Sequence, residues 1–194
     1  MAGEKVVVVG PSGSGKSTLL NLLCGVLPVQ DGSIRLLNQS YKDLSPLGLD
    51  KVRADHIGII FQSLNLIPYL SGFDNAVLGL RFSKARKNSV KDLAKTVASL
   101  ATQLGLPPDT LERNPSELSI GQQQRIAVIR AMLGYPALIL ADEPTSALDP
   151  VATQQFISEL NKSVDSSTQS VIVVSHDPEI IPLFDRVIEI EPAS

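Results

Sequence analysis

The stretch GPSGSGKSTLL, Gly10 to Leu20, follows directly on the apolar run Val6 to Val9. No other segment restricts the fold as much. Four valines without alternation are the pattern of a strand covered on both faces, and such strands belong to parallel sheets flanked by helices. Beyond the loop, Leu19, Leu20, Leu22, Leu23, Val26 and Leu27 recur with helical spacing, and Pro28 closes the predicted helix. A strand, a glycine loop and a helix in that order satisfy G-x-x-x-x-G-K-[ST] in the context the pattern requires. Glycines let successive N–H groups turn inward around an anion, and the helix N-terminus adds its dipole. Lys16 can reach the outer phosphates of a nucleotide, and the Ser17 hydroxyl suits Mg²⁺. Gly10, Ser12, Gly13, Ser14, Gly15, Lys16, Ser17 and Thr18 are therefore the candidate nucleotide-binding residues. By itself the loop specifies only a nucleoside triphosphate, which kinases, GTPases and motors share.

The chain of 194 residues is long enough for one domain with a sizeable core. Further strand patterns lie at Ser33 to Leu37, Ile57 to Phe61, Leu138 to Ala141 and Val171 to Val174, so a three-layer α/β domain with a mainly parallel sheet is expected. Between Gln62 and Leu118 the pattern changes. Its clear periodic element is the helical face Val90, Leu93, Ala94, Val97, Leu100, Ala101 and Leu104, ended by Gly105 and a proline pair. The expected organisation is a single domain, 1–194, with an α/β core lobe made of 1–62 and 122–194 and a helical lobe, 63–121, inserted into it.

The formal net charge of −3 offers no field of the size a nucleic-acid binder presents. The local basic run Arg81, Lys84, Arg86, Lys87, Lys91 and Lys95 has no interleaved aromatics for base stacking and reads first as a solvated helix face, ahead of a lipid-headgroup or partner contact. The single cysteine, Cys24, sits among leucines and reads as a small buried hydrophobe in a reducing compartment. Apolar runs such as Ala137 to Ala141 fall far short of a bilayer span, and no charged-then-apolar leader opens the chain, so membrane work is expected to fall to a partner.

A second chemical signal is Leu138-Ile-Leu-Ala-Asp142-Glu143-Pro-Thr, a strand ending in adjacent carboxylates. Neighbouring residues on a strand end point in different directions, so the acids can divide the work. Asp142 suits the Mg²⁺ shell, and Glu143 can polarise a water in line with the γ phosphate. Four further motifs complete the pattern: Gln62 after IGIIF, Leu118-Ser119-Ile120-Gly121-Gln122, Ser146-Ala-Leu-Asp149, and His176 after VIVV. With them the chain closely resembles the nucleotide-binding subunits of ABC transporters over nearly its whole length.

That resemblance implies two cassettes stacked head to tail with two ATP molecules between them. Lys16, Ser17, Gln62, Asp142, Glu143 and His176 are then expected to face one ATP, with Gln62 at the metal or the attacking water and His176 as a γ-phosphate sensor. Ser119, Gly121, Gln122 and Asp149 are expected to serve the partner's site. Physically, Ser119 can cap a helix beginning near Gly121 and so form a second anion site. The resemblance implies ATP hydrolysis, partnership with itself or a related cassette, and attachment through an integral membrane permease on the inner face of the cell membrane. The wording of Ser63 to Val77 is similar to the lipoprotein-release and macrolide-export branch, which implies an exporter or mechanotransducer. A soluble ATP-dependent switch, regulatory or associated with nucleic acid, is the alternative of a different class. An unrelated P-loop kinase would give Ser119-Ile-Gly-Gln no task.

This sequence departs from the family pattern twice. Ile120 stands where the signature carries glycine, while the phosphate-facing Ser119 and Gly121 remain. Met1-Ala-Gly-Glu-Lys-Val holds neither the antiparallel β region nor the adenine-stacking aromatic that the family places upstream of the loop. The cassette therefore reads as truncated at its front. Losing a stack of about 1–3 kcal/mol, by analogy with base–aromatic contacts, is expected to weaken ATP binding without abolishing it.

Overall fold

The computed structural model describes residues 3–191, so the ends of the expected domain, Met1, Ala2 and 192–194, lie outside the described residues. In chain order the elements are β1 (Lys5–Val9), α1 (Lys16–Leu23), β2 (Arg35–Leu36), β3 (Gln39–Ser40), α2 (Pro46–His56), β4 (Ile57–Ile60), α3 (Gly72–Val77), α4 (Lys84–Ser89), α5 (Leu93–Gln103), α6 (Ile120–Met132), β5 (Leu138–Asp142), α7 (Pro150–Ser163), β6 (Ser170–Ser175) and β7 (Arg186–Glu189). Short 3-10 turns fill several of the connections.

The main sheet has five parallel strands in the order β4-β5-β6-β1-β7. Its register runs straight across: Ile60 pairs with Ala141, Ala141 with Val173, and Val173 with Val7. All four side chains are fully buried, as a sheet covered on both faces demands. From β1 the chain departs to the far edge, whereas β6 sends it over β1 to β7. Connections leaving neighbouring strands in opposite directions open a crevice at their carboxyl ends, where α/β folds bind ligands. Val9, Ile60, Asp142 and Ser175 all end on that edge.

α6 packs on β4 with Ile126, Ala127, Val128 and Ile129 inaccessible to solvent. The approach is close enough that a Cβ on Gly58 would lie 2.1 Å from the Ala131 carbonyl oxygen. One continuous apolar cluster joins Val7, Ile60 and Ile139 of the sheet to Val97 of α5 and to Leu104, which ends that helix.

Several elements differ from the periodicity reading. α1 stops at Leu23 because Gly25 takes a left-handed φ of +67°, which leaves Val26 and Leu27 outside the helix and exposed. Only Arg35–Leu36 of the expected strand pairs, and its partner is β3 in a separate two-stranded antiparallel sheet. Leu37 and Asn38, with φ of +50° and +65°, form the tight turn between them. α5 starts at Leu93, after its cap Asp92, so Val90 precedes the helix although it packs on the same cluster. The half-polar β7 lacks the apolar run by which its neighbours announce themselves.

Candidate active site

The loop between β1 and α1 keeps its shape through Gly13 and Gly15, whose φ values of +81° and +93° exclude side chains. Lys16, the first residue of α1, is only 7% exposed. Its ammonium donates to the Gly10 and Pro11 carbonyls at 2.8 and 2.9 Å, which holds the charge against the loop. Ser14 Oγ is buried with no partner among the described residues. That hydroxyl lies against Gly10, and neither Gly10 nor Ser14 is among the residues lining the open cavity described below.

At the end of β5 the two carboxylates diverge, as expected. Asp142 accepts from the Ser17 hydroxyl at 3.4 Å, and burial pushes its carboxyl above the usual range, with the Ser17 bond opposing and Glu143 reinforcing. A desolvated carboxylate meeting a hydroxyl is a donor pair that fits a hard divalent cation. Glu143 turns away because its own backbone is left-handed, φ +44°. Its N–H donates to the Val174 carbonyl at 2.9 Å. Its carboxylate then meets His176 Nδ1 at 2.7 Å, the glutamate side chain 13% exposed and the imidazole 64%.

Ser12, Gly13, Gly15, Lys16, Ser17, Thr18, Gln62, Glu143 and His176 together line one cavity of about 620 Å³. Residues that follow the ends of β1, β4, β5 and β6 thus converge, with Asp142 reached through Ser17.

Ser119, Gly121, Gln122 and Asp149 are not among the lining residues. Ser119 caps α6, which begins at Ile120: its Oγ accepts the Gln122 N–H at 3.3 Å, and the Gln122 side chain accepts the Ser119 N–H at 2.9 Å. Asp149 caps α7 by accepting from the Ala152 N–H. Both caps are exposed, as is Ile120 at 54%. A helix start leaves N–H groups without intrahelical acceptors, so α6 presents donors outward, away from this chain's own cavity. Sequence reading passed over Gln124, since nothing distinguishes it from Gln122 and Gln123. The fold separates them: Gln122 completes the cap, Gln123 donates to the Pro115 and Leu118 carbonyls, and Gln124 is buried and donates to the Pro144 carbonyl.

A second, larger concavity of about 900 Å³ lies between α2, β4 and the residues after Gln62. Its walls include Ile59, Phe61, Ile67, Leu78 and Phe82, with Phe82 74% exposed. The flanking charges are mostly spoken for, since Lys51 pairs with Asp55 and Arg53 with Asp50.

Known proteins resemble this chain in sequence and in fold. A family model described as ABC transporter matches residues 1–146. The lipoprotein-releasing system ATP-binding protein LolD of Hydrogenovibrio crunogenus is 37% identical over 185 residues, covering 95% of this chain and 79% of its own. The macrolide export ATP-binding/permease protein MacB of Rhodopirellula baltica is 37% identical over 193 residues, 98% of this chain and 28% of its own. The thiamine import ATP-binding protein ThiQ of Histophilus somni is 38% identical over 191 residues, 97% and 84%. The chain spans about half, 56%, of the length of the uncharacterised mycobacterial ABC transporter ATP-binding proteins that it matches at 37% identity. The dimeric structure of the cassette MJ0796 of Methanocaldococcus jannaschii superposes with a TM-score of 0.84 at 34% identity, over 98% of this chain and 82% of that one. A post-hydrolysis dimer of the same cassette, bound to ADP and Pi, has the same TM-score over 100% and 85%.

Proposed function

Since this chain belongs to the ABC transporter family of ATP-binding cassettes, we propose that it binds and hydrolyses ATP as a dimer and couples that cycle to a separate integral membrane permease. One observation carries the reading: the cavity formed by Lys16, Ser17 and Glu143 and the exposed start of α6 at Ser119 belong to the same chain but not to the same place. Two copies, or one copy and a related cassette, can complete each other's sites.

In this reading the Gly13 and Gly15 loop wraps the phosphates with backbone N–H groups, and Lys16 leaves its carbonyl partners for the phosphate oxygens. Ser17 and Asp142 are the residues that would hold Mg²⁺, with Gln62 at the same cavity. When bound, that ion neutralises phosphate charge. Glu143 takes the proton of the attacking water, and His176 keeps the carboxylate oriented through the 2.7 Å contact. Across the dimer, Ser119, Gly121, Gln122 and Asp149 complete the partner's site. Gln62, at the junction of the core lobe (1–62 and 122–194) and the helical lobe (63–121), ties lobe rotation to the nucleotide.

The 900 Å³ concavity, whose apolar wall includes Phe61 next to Gln62 and whose rim is charged, is where a short permease helix would dock. It supports the transporter reading over the soluble switch, and with that reading goes a peripheral position at the inner face of the cell membrane. The likeness of Ser63 to Val77 to the lipoprotein-release and macrolide-export branch supports an exporter or mechanotransmission system.

Glu143→Gln tests the reading. The variant is expected to bind ATP, accumulate as a dimer in its presence and hydrolyse about 10²–10⁴-fold more slowly. A monomer at saturating ATP, or near-normal turnover, would overturn it.

A further inference from the structure

Gln124 is buried, 3% exposed, on the side of α6 that faces the turn after β5. Its Nε2 donates to the Pro144 carbonyl at 2.9 Å, while its Oε1 has no partner among the described residues. An unpaired buried oxygen costs stability that a methionine of similar length would not. Packing alone therefore does not account for an amide here.

What the amide holds is specific. Pro144 follows Glu143 and has no N–H, so its carbonyl is the one backbone group by which that residue can be tethered. The turn begins with the left-handed Glu143, is anchored on one side by the Glu143 N–H to Val174 bond, and closes with the Ser146 N–H on the Glu143 carbonyl at 3.2 Å. Gln124 supplies a tether from a different element. It lies five residues beyond the cap Ser119 on α6, a rise of about 7 Å along the helix axis.

We propose that Gln124 is a positioning residue that links the first turns of α6 to the turn aiming Glu143. The inference rests on the two-copy reading above. A nucleotide seated against Ser119 belongs to the partner's cavity, whereas Glu143 serves the chain's own. A rigid link between them makes the two composite sites communicate: contact at one α6 start steadies the carboxylate in the other cavity.

The test compares the wild-type chain with Gln124→Met and Gln124→Glu, measuring steady-state ATP hydrolysis against ATP concentration together with thermal midpoints. Gln124→Met removes the orphaned Oε1 but leaves the Pro144 carbonyl without its donor, so it is expected to melt close to the wild-type temperature and to keep KM within about twofold. Its kcat is expected to fall by tenfold or more, and its Hill coefficient to drop towards one. Gln124→Glu can donate to the same carbonyl only when protonated. Its activity relative to wild type is therefore expected to recover as pH falls from 8 to 6, while that of the methionine variant stays flat.

Wild-type kcat and Hill coefficient in Gln124→Met would overturn the inference. So would a loss of kcat that tracks a fall in melting temperature and shows no acid recovery in Gln124→Glu, since that describes a structural strut. A wild-type chain that hydrolyses no ATP sinks the ATPase reading and the inference together. An active wild type with an unaffected methionine variant sinks only the inference.

Discussion

The contact between β4 and α6 can be probed with a single methyl group. In Gly58→Ala the new Cβ would lie 2.1 Å from the Ala131 carbonyl oxygen, 2.8 Å from its carbon and 3.2 Å from its Cα. These are backbone atoms, so no rotamer relieves the overlap. α6 must retreat from the sheet by about 1 Å, and a gap of that size forfeits a quarter to a half of each dispersion contact it opens. The side chains affected include Ile126, Ile129 and Met132, all at most 3% exposed. The same movement strains Arg86, whose guanidinium bonds the Ala131 carbonyl at 2.9 Å and the Ile57 carbonyl at 3.2 Å. Overpacking of this kind costs about 3 kcal/mol. Alanine returns about 0.5 kcal/mol by restricting the unfolded chain. The net loss is about 2.5 kcal/mol, which for a domain of this size lowers the melting temperature by roughly 5–10 °C. Paired urea and thermal melts followed by circular dichroism measure it. An unchanged or raised melting temperature would show that the two backbones are not in contact and refute the packing argument.

Two other substitutable or modifiable sites give direct readouts. Burial raises the Asp142 carboxyl above its ordinary value, so its charged form weakens the ligand-free fold above that raised value and the penalty is relieved as pH falls through it. Asp142→Asn is therefore expected to melt higher than wild type at pH 7–8 without nucleotide or Mg²⁺, the advantage fading on acidification; a lower melting point at pH 8 would contradict it. Cys24 is buried and its thiol is pushed up to about 11, chiefly by desolvation, so a disulfide reagent at pH 8 is expected to label the native chain slowly and the denatured chain at once. Rapid labelling of the native chain would count against the packing around α1.

The parts of this protein that could be read from sequence are those whose physics is local. Val6 to Val9 followed by the glycine loop contains within a few residues the strand, the turn and the helix dipole that an anion requires. Asp142 and Glu143 announce themselves at the end of an apolar strand for the same reason, and Ser119 carries the side-chain oxygen that caps the helix after it. Periodicity failed where a single backbone angle overrode it, as at Gly25, which ends α1 while the apolar spacing continues to Leu27. It also failed at β7, an edge strand whose partly polar surface carries no hydrophobic signature.

Only the tertiary structure decided which distant groups meet. Strand order is set by pairings between residues far apart in the chain, so that Gln62, Glu143 and His176 line one cavity with Lys16 could not follow from any one segment. The left-handed backbone of Glu143, which sends its carboxylate to His176 while Asp142 goes to Ser17, depends on the Val174 carbonyl of a neighbouring strand. Three consecutive glutamines, alike in sequence, acquire three different partners because the helix turns each by about 100° towards a different neighbour. The chemistry of the site resides in its residue types; which of them act together is a property of the fold.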